Sequence, residues 1–214
     1  MLQRSKLALL VVLTFIFSVS LFAEAATTGA EENKINIPEL GVKIDYTGWT
    51  FTNDPKLIKA GEDYAKEKLS SNIRLDTLAK TGIHFYLLEY PQNVIPPEGF
   101  NSNINMTTEI LPKRKKAFTL DEYLEAVFQL YPKLLAGYKQ VGVTQKLTIG
   151  GLPAALIEGT FTTASNDGDL QIHNYQLVFI KGNKAFVLTG TTTENLSNQK
   201  GPKILTVLKG IQSI

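Results

Sequence analysis

The sequence predicts an α+β fold, a mainly antiparallel β-sheet with helices packed on it. Two observations carry that expectation. Apolar and polar residues alternate in short runs that arrive as hairpins, joined by tight-turn pairs such as Gly150-Gly151 and Gly182-Asn183. Well-marked helical stripes stand between blocks of strands, not between single strands, which argues against a doubly wound parallel sheet.

The chain opens with an export-type leader. Arg4 and Lys6 precede a run from Leu7 to Phe22 that carries no charge, and Ala23-Glu24-Ala25 places small residues where a signal peptidase reads. Residues 1–25 are therefore expected to be a signal peptide cleaved after Ala25. The alternative is a retained anchor, but the run is shorter than the roughly 20 apolar residues a spanning helix needs. Residues 26–34 read as a polar, flexible lead-in, and residues 35–214 as a single domain. The expected destination is periplasmic, extracellular or an equivalent lumen, with the chain soluble after cleavage.

From there the elements follow in order. Ile35 to Ile37 and Val42 to Tyr46 alternate as strands around a turn at Glu39 to Gly41. Trp49, the only tryptophan, reads as a core anchor. Asp54 can cap a helix with Pro55 at its first position, and a second short helix is expected from Leu75 to Lys80. Ile83 to Tyr90 is a strand ended by Pro91. A proline-rich loop to Gly99 leads into a strand from Phe100 to Leu111, with Ile104, Met106, Thr108 and Ile110 on one face. Thr119 to Leu135 is the clearest helix: Thr119 and Glu122 form a capping box, and Leu120, Tyr123, Leu124, Val127, Phe128, Tyr131, Leu134 and Leu135 make one stripe. Pro132 should kink its end and Gly137 stop it. Strands at Val143 to Ile149, Pro153 to Thr163, Leu170 to Ile180 and Lys184 to Thr193 form a meander. A final helix begins near Pro202.

Composition narrows the function classes. There is no cysteine, so disulfides and an acylated lipoprotein cysteine are both excluded. The chain has 22 basic and 20 acidic residues, and losing Arg4, Lys6 and Glu24 leaves 20 against 19. That balance offers no bulk field for nucleic acid. The two histidines, His84 and His173, are far apart in sequence, and a metal centre would need three or four compact ligands. Asn166-Asp167-Gly168-Asp169 reads as a hairpin turn, since the oxygen ligands and closing glutamate of a calcium loop are missing. No Gly-x-Ser-x-Gly elbow or carboxylate pair marks a hydrolase. No catalytic, cofactor-binding or metal-ligating residues are assigned, and no cofactor is expected. The one local charge cluster is Lys113-Arg114-Lys115-Lys116, a candidate docking point for an acidic protein face or, weakly, for anionic headgroups. The loop from Pro91 to Gly99 is a second surface that a partner could grip.

Several motifs, taken in order, resemble the PsbP-like superfamily: Gly48-Trp49 after an alternating strand, Phe100-Asn101-Ser102-Asn103-Ile104-Asn105, Leu120-Asp121-Glu122-Tyr123, Gly151-Leu152-Pro153-Ala154, and Ala185 to Gly190 before a terminal helix. That superfamily groups extrinsic photosystem II proteins with bacterial envelope proteins of DcrB and LpqN type. The resemblance spans roughly residues 35–213. It implies an α-β-α sandwich and a non-enzymatic role, docking to a protein complex or supporting the envelope. It carries over no functional residues. The leading expectation is thus an exported accessory or binding protein whose partner is an envelope or lumenal protein complex. The alternative is a carrier of a small molecule or lipid in an apolar pocket, or less readily a hydrolase.

Overall fold

Turn chemistry organises the sheet. A computed structural model describes residues 33–69, 81–112, 115–165 and 168–214. The leader, the helix expected at Leu75 to Lys80, and Lys113, Arg114, Asn166 and Asp167 lie outside them. Gly150 and Gly151 both take positive φ, 59° and 77°, the pair that a tight two-residue hairpin requires. They join β7 (Gln145–Ile149) to β8 (Leu152–Ser165). From β8 the chain returns as β9 (Gly168–Lys181) and β10 (Lys184–Thr193), all antiparallel.

Four further strands complete the layer: β3 (Thr50–Thr52), β4 (Thr81–Leu88), β5 (Asn103–Ile110) and β6 (Ala136–Gln140). The order in this 8-stranded sheet is β3-β4-β5-β10-β9-β8-β6, with β7 also paired to β8. The strand β6 was not anticipated, because Ala136–Gln140 is exposed and lacks apolar alternation. It exists because the long strand β8 leaves an edge for it to pair with. A second, 3-stranded sheet joins β1 (Lys34–Ile37), β2 (Val42–Asp45) and β11 (Gln212–Ser213). The chain's last strand thus closes onto its first pair, a non-local pairing that no local pattern announces.

Helices cover both faces. The helix α1 (Pro55–Leu69) starts as expected, with the Lys56 N–H donating to Asp54 Oδ1 at 2.9 Å. The helix α2 (Leu120–Leu134) has the full capping box, Glu122 N–H to Thr119 Oγ1 at 3.2 Å and Thr119 N–H to Glu122 Oε2 at 2.9 Å. The helix α3 (Ser197–Lys209) begins before Pro202, after a 3-10 turn at Glu194–Leu196. Pro202 is the sixth residue of α3, past the first turn, so the helix gives up there the bond that an N–H would make to the Asn198 carbonyl.

Two apolar cores result, one per face. On one face, α3 and the small sheet pack Ile204, Leu208, Val42 and Ile44 onto Phe85, Ile104, Leu177 and Leu188. Trp49 is half-buried at the margin of this core. On the other, α2 packs Tyr123, Leu124, Val127 and Tyr131 onto Ala155, Ile157, Val178 and Val187. The helix α1 sits apart on that face, with Leu57 and Ile58 against Ile83, Tyr86 and Leu88 of β4. Between the α1 and α2 clusters lies a strip of sheet that is buried but polar.

Candidate functional site

The strip comes from register. Asn103 of β5 stands opposite Thr191 of β10, which stands opposite Asn174 of β9. One row on, Asn105, Thr189 and Gln176 repeat the arrangement. These six polar side chains share the face that α2 covers, and each is at most 1% exposed. Gln176 accepts from the Tyr131 hydroxyl at 2.5 Å and donates to Thr189 Oγ1 at 3.4 Å. The Asn103 amide donates to the Asn101 carbonyl at 3.1 Å. Other atoms of the block have no hydrogen-bond partner among the described residues: Asn103 Oδ1, both amide atoms of Asn105, Asn174 Oδ1 and Thr191 Oγ1. Further along β5, Glu109 is also buried. Burial pushes its carboxyl up to about 8, and the nearby Tyr123 hydroxyl opposes that shift without making a hydrogen bond of good geometry to it. The hydroxyls of Tyr123 and Tyr131 are raised well above their ordinary range, by burial first and by Glu109 next.

At the end of the sheet where β4 finishes and β5 begins, the proline-rich loop is held firmly. Asn101 brackets Tyr90, accepting from its N–H at 3.0 Å and donating to its carbonyl at 2.8 Å. Lys200 of α3, its side chain 3% exposed, reaches Glu89 at 2.8 Å and Glu98 at 3.1 Å. Burial lowers the Lys200 ammonium, but the bonds to Glu89 and Glu98 outweigh it and hold it above its ordinary value. Lys203 adds a second contact to Glu89 at 3.2 Å. Within the loop, turns close from Val94 N–H to the Pro91 carbonyl and from Gly99 N–H to the Pro96 carbonyl. This anchored loop nevertheless exposes Val94, and Ile95 by 81%.

The basic segment lies at the opposite end, between β5 and α2. Lys115 and Lys116 are exposed and have no ion-pair partner among the described residues. Sequence reasoning therefore found two surfaces that the fold keeps apart.

The histidines do not meet either, since β5 and β10 separate their strands. His84 sits at a bulge in β4, with Nε2 2.7 Å from Thr108 Oγ1. Desolvation holds its imidazole below the ordinary value. His173 is buried on the α3 face, with Nδ1 2.6 Å from Glu194 and Nε2 2.6 Å from Glu158. Its ring stacks on Tyr175 at 4.8 Å, and burial together with those two carboxylates pushes the Tyr175 hydroxyl up to about 12. Both ring nitrogens of His173 are engaged, so it ties β8, β9 and the 3-10 turn together. Among the described residues, no group of three or more His, Cys, Asp or Glu could hold a metal ion.

The buried polar block was not read from the sequence. Its residues alternate with Ile104 and Met106, and a polar set opposite an apolar one is normally the solvent face. No protein-family model matches the chain, and no curated protein is similar to it. Among solved structures, the cyanobacterial PsbP of Synechocystis sp. PCC 6803 aligns at TM-score 0.52, with 10% identity, over 90% of this chain and 99% of its own. That similarity shows a PsbP-like fold. A protein of unknown function from Pseudomonas aeruginosa, PA94, described as a putative regulator, aligns at TM-score 0.43 with 14% identity, over 51% of this chain and 71% of its own. LpqN of Mycobacterium tuberculosis, described as involved in cell envelope biogenesis, aligns at TM-score 0.40 with 14% identity, over 62% of this chain and 78% of its own.

Proposed function

We propose that this chain of PsbP-like fold is an exported, non-enzymatic accessory protein that docks to a protein complex of the envelope or lumen. The observation that carries the reading is the loop from Pro91 to Gly99. It is fastened by Lys200 and Asn101, stiffened by three prolines, and still presents Ile95 to solvent at 81% exposure. A single exposed apolar side chain is unremarkable. One held out on a loop that is already ordered is different, because a partner that covers it pays little of the usual entropy of fixing a loop. The export-type leader supports the location, and no helix among the described residues is long and apolar enough to cross a membrane. Lys115 and Lys116, at the far end of the sheet, fit an acidic protein face as a second contact.

The test compares baits. The mature protein, from Ala26 onward, is cross-linked to its own cell envelope beside Ile95→Ser and Val143→Ser. Val143 is 82% exposed in the connection between β6 and β7, away from the loop. One partner, kept by wild type and Val143→Ser and lost by Ile95→Ser, is the expected result. Equal capture by all three baits removes the loop from the reading, and capture by none removes the docking function.

A further inference from the structure

The docking loop is held from α3, and α3 is itself held at its start by a buried histidine. His173 has its side chain 7% exposed, and each ring nitrogen stands 2.6 Å from a carboxylate, Nδ1 from Glu194 of the 3-10 turn and Nε2 from Glu158 of β8. An ionised carboxylate only accepts hydrogen bonds, and a neutral imidazole has one N–H to give. Both contacts are hydrogen bonds only while the three groups hold one proton more than a neutral ring between two carboxylates. Groups this close titrate as one unit. Without that proton, one carboxylate faces a ring lone pair.

Glu194 is the more easily released, its side chain 50% exposed against 27% for Glu158. The surroundings offer no substitute donor. Thr160 of β8 and Thr192 of β10 stand directly opposite His173. On β9 itself, Tyr175 stacks on the ring with its hydroxyl pushed up to about 12, and Asp169 is exposed further back. Lys139 of β6, opposite Thr160, is exposed to water. From α3, Lys200 is turned to Glu89 and Glu98.

The path from this cluster to the loop is short. The Ser197 hydroxyl, at the start of α3, donates to the Glu194 carbonyl at 2.7 Å. One turn on, Lys200 grips Glu89 and Glu98. Gly201 follows it, and a Cβ there would overlap the Tyr175 hydroxyl. The ring stacked on His173 thus bears on the helix backbone beside Lys200.

We infer that His173, Glu158 and Glu194 form a proton-operated latch that sets how firmly α3 holds the loop from Pro91 to Gly99, closed while the shared proton is bound and released as pH rises. Its consequence for partner binding rests on the docking reading; the latch itself is a property of the isolated chain.

The experiment records ring ¹⁵N resonances and amide exchange of the mature, labelled protein from about pH 5 to about pH 9, with exchange corrected for its intrinsic base catalysis. The His173 ring is expected to titrate with one midpoint. Protection of residues 194–201 and 91–99 falls across that midpoint by about tenfold, the scale of one charge-assisted hydrogen bond. Glu194→Gln flattens the dependence, because an amide can accept from the ring or donate to it in either protonation state. His173→Gln flattens it too, and if that variant fails to fold, Glu194→Gln decides. Glu109→Gln, which removes a group titrating near this range on the opposite face, keeps the dependence. The inference is overturned if protection of the loop is the same at both ends of the range, or follows the His84 ring instead. It is equally overturned if Glu194→Gln behaves as wild type, or if Glu109→Gln abolishes the effect. Cross-linked capture of the partner should weaken from about pH 6 to about pH 9 along with protection. Equal capture at the two values while protection changes overturns the control of docking. No capture at either, with protection following His173, removes the docking function and leaves the latch standing.

Discussion

Glu109 shows how far a strand position can depart from its local rule. It lies on β5 opposite Ala185, only 3% exposed, with its carboxyl raised from 4.5 to about 8. A raised carboxyl means that the folded chain keeps a proton the unfolded chain releases. Stability is therefore full below the unfolded value and falls as pH rises through the window from about 4.5 to about 8. The fall is on the order of several kcal/mol for a shift of that size. Glu109→Gln should flatten this dependence and leave the variant more stable than wild type at alkaline pH. Urea unfolding at about pH 5 and about pH 8.5 measures both, and parallel pH profiles for the two proteins would reject the assignment. The same residue marks where sequence reading stops. Ile104 and Met106 announce an inward face, but nothing in the alternation says that Asn103, Asn105, Thr107 and Glu109 are inward too. Their burial follows from β5 being a central strand with cover on both sides, which is a property of the assembled layers.

Elements with their own chemistry were legible. The Thr119–Glu122 box, the Asp54-Pro55 start and the paired glycines of the β7–β8 turn each satisfy local backbone groups, and each appears where the residues put it. Elements that exist by pairing were not. The strand β6 and the strand β11 have no apolar pattern, and they form because a neighbour offers an unpaired edge. Packing between elements was equally hidden. Gly190 of β10 faces α3, and a Cβ there would overlap the Ile204 side chain, itself fully buried. Replacing a strand glycine by alanine usually helps by about 0.5–1 kcal/mol. Gly190→Ala should instead cost about 1–3 kcal/mol, because Ile204 has no room to retreat. Chemical denaturation decides the sign, and a stabilised variant would mean that α3 shifts freely.

At the scale of the whole molecule, Lys200 is the joint. It rises from α3, ends against Glu89 beyond β4, and holds Glu98 of the proline loop. Removing it leaves Glu89, whose side chain is 8% exposed, with Lys203 alone. Lys200→Met should cost about 3 kcal/mol, near the low end for breaking a buried pair because Lys203 remains. It should also speed amide exchange across residues 91–99. Unchanged exchange there would show that the prolines and Asn101 hold the loop without help. The edges of the large sheet carry a last consequence. The strand β8 runs fourteen residues, long enough to template the addition of a foreign strand along its outer side. That side is instead taken by β7 and by β6, each of five residues, each carrying a lysine, and β6 is broken by a register shift between Ala136 and Lys139. At the other edge, β3 is only three residues long. Short, charged and irregular borders of this kind give an incoming chain little to align with. The large sheet thus offers copies of this chain little border along which to add strand to strand and grow into fibrils.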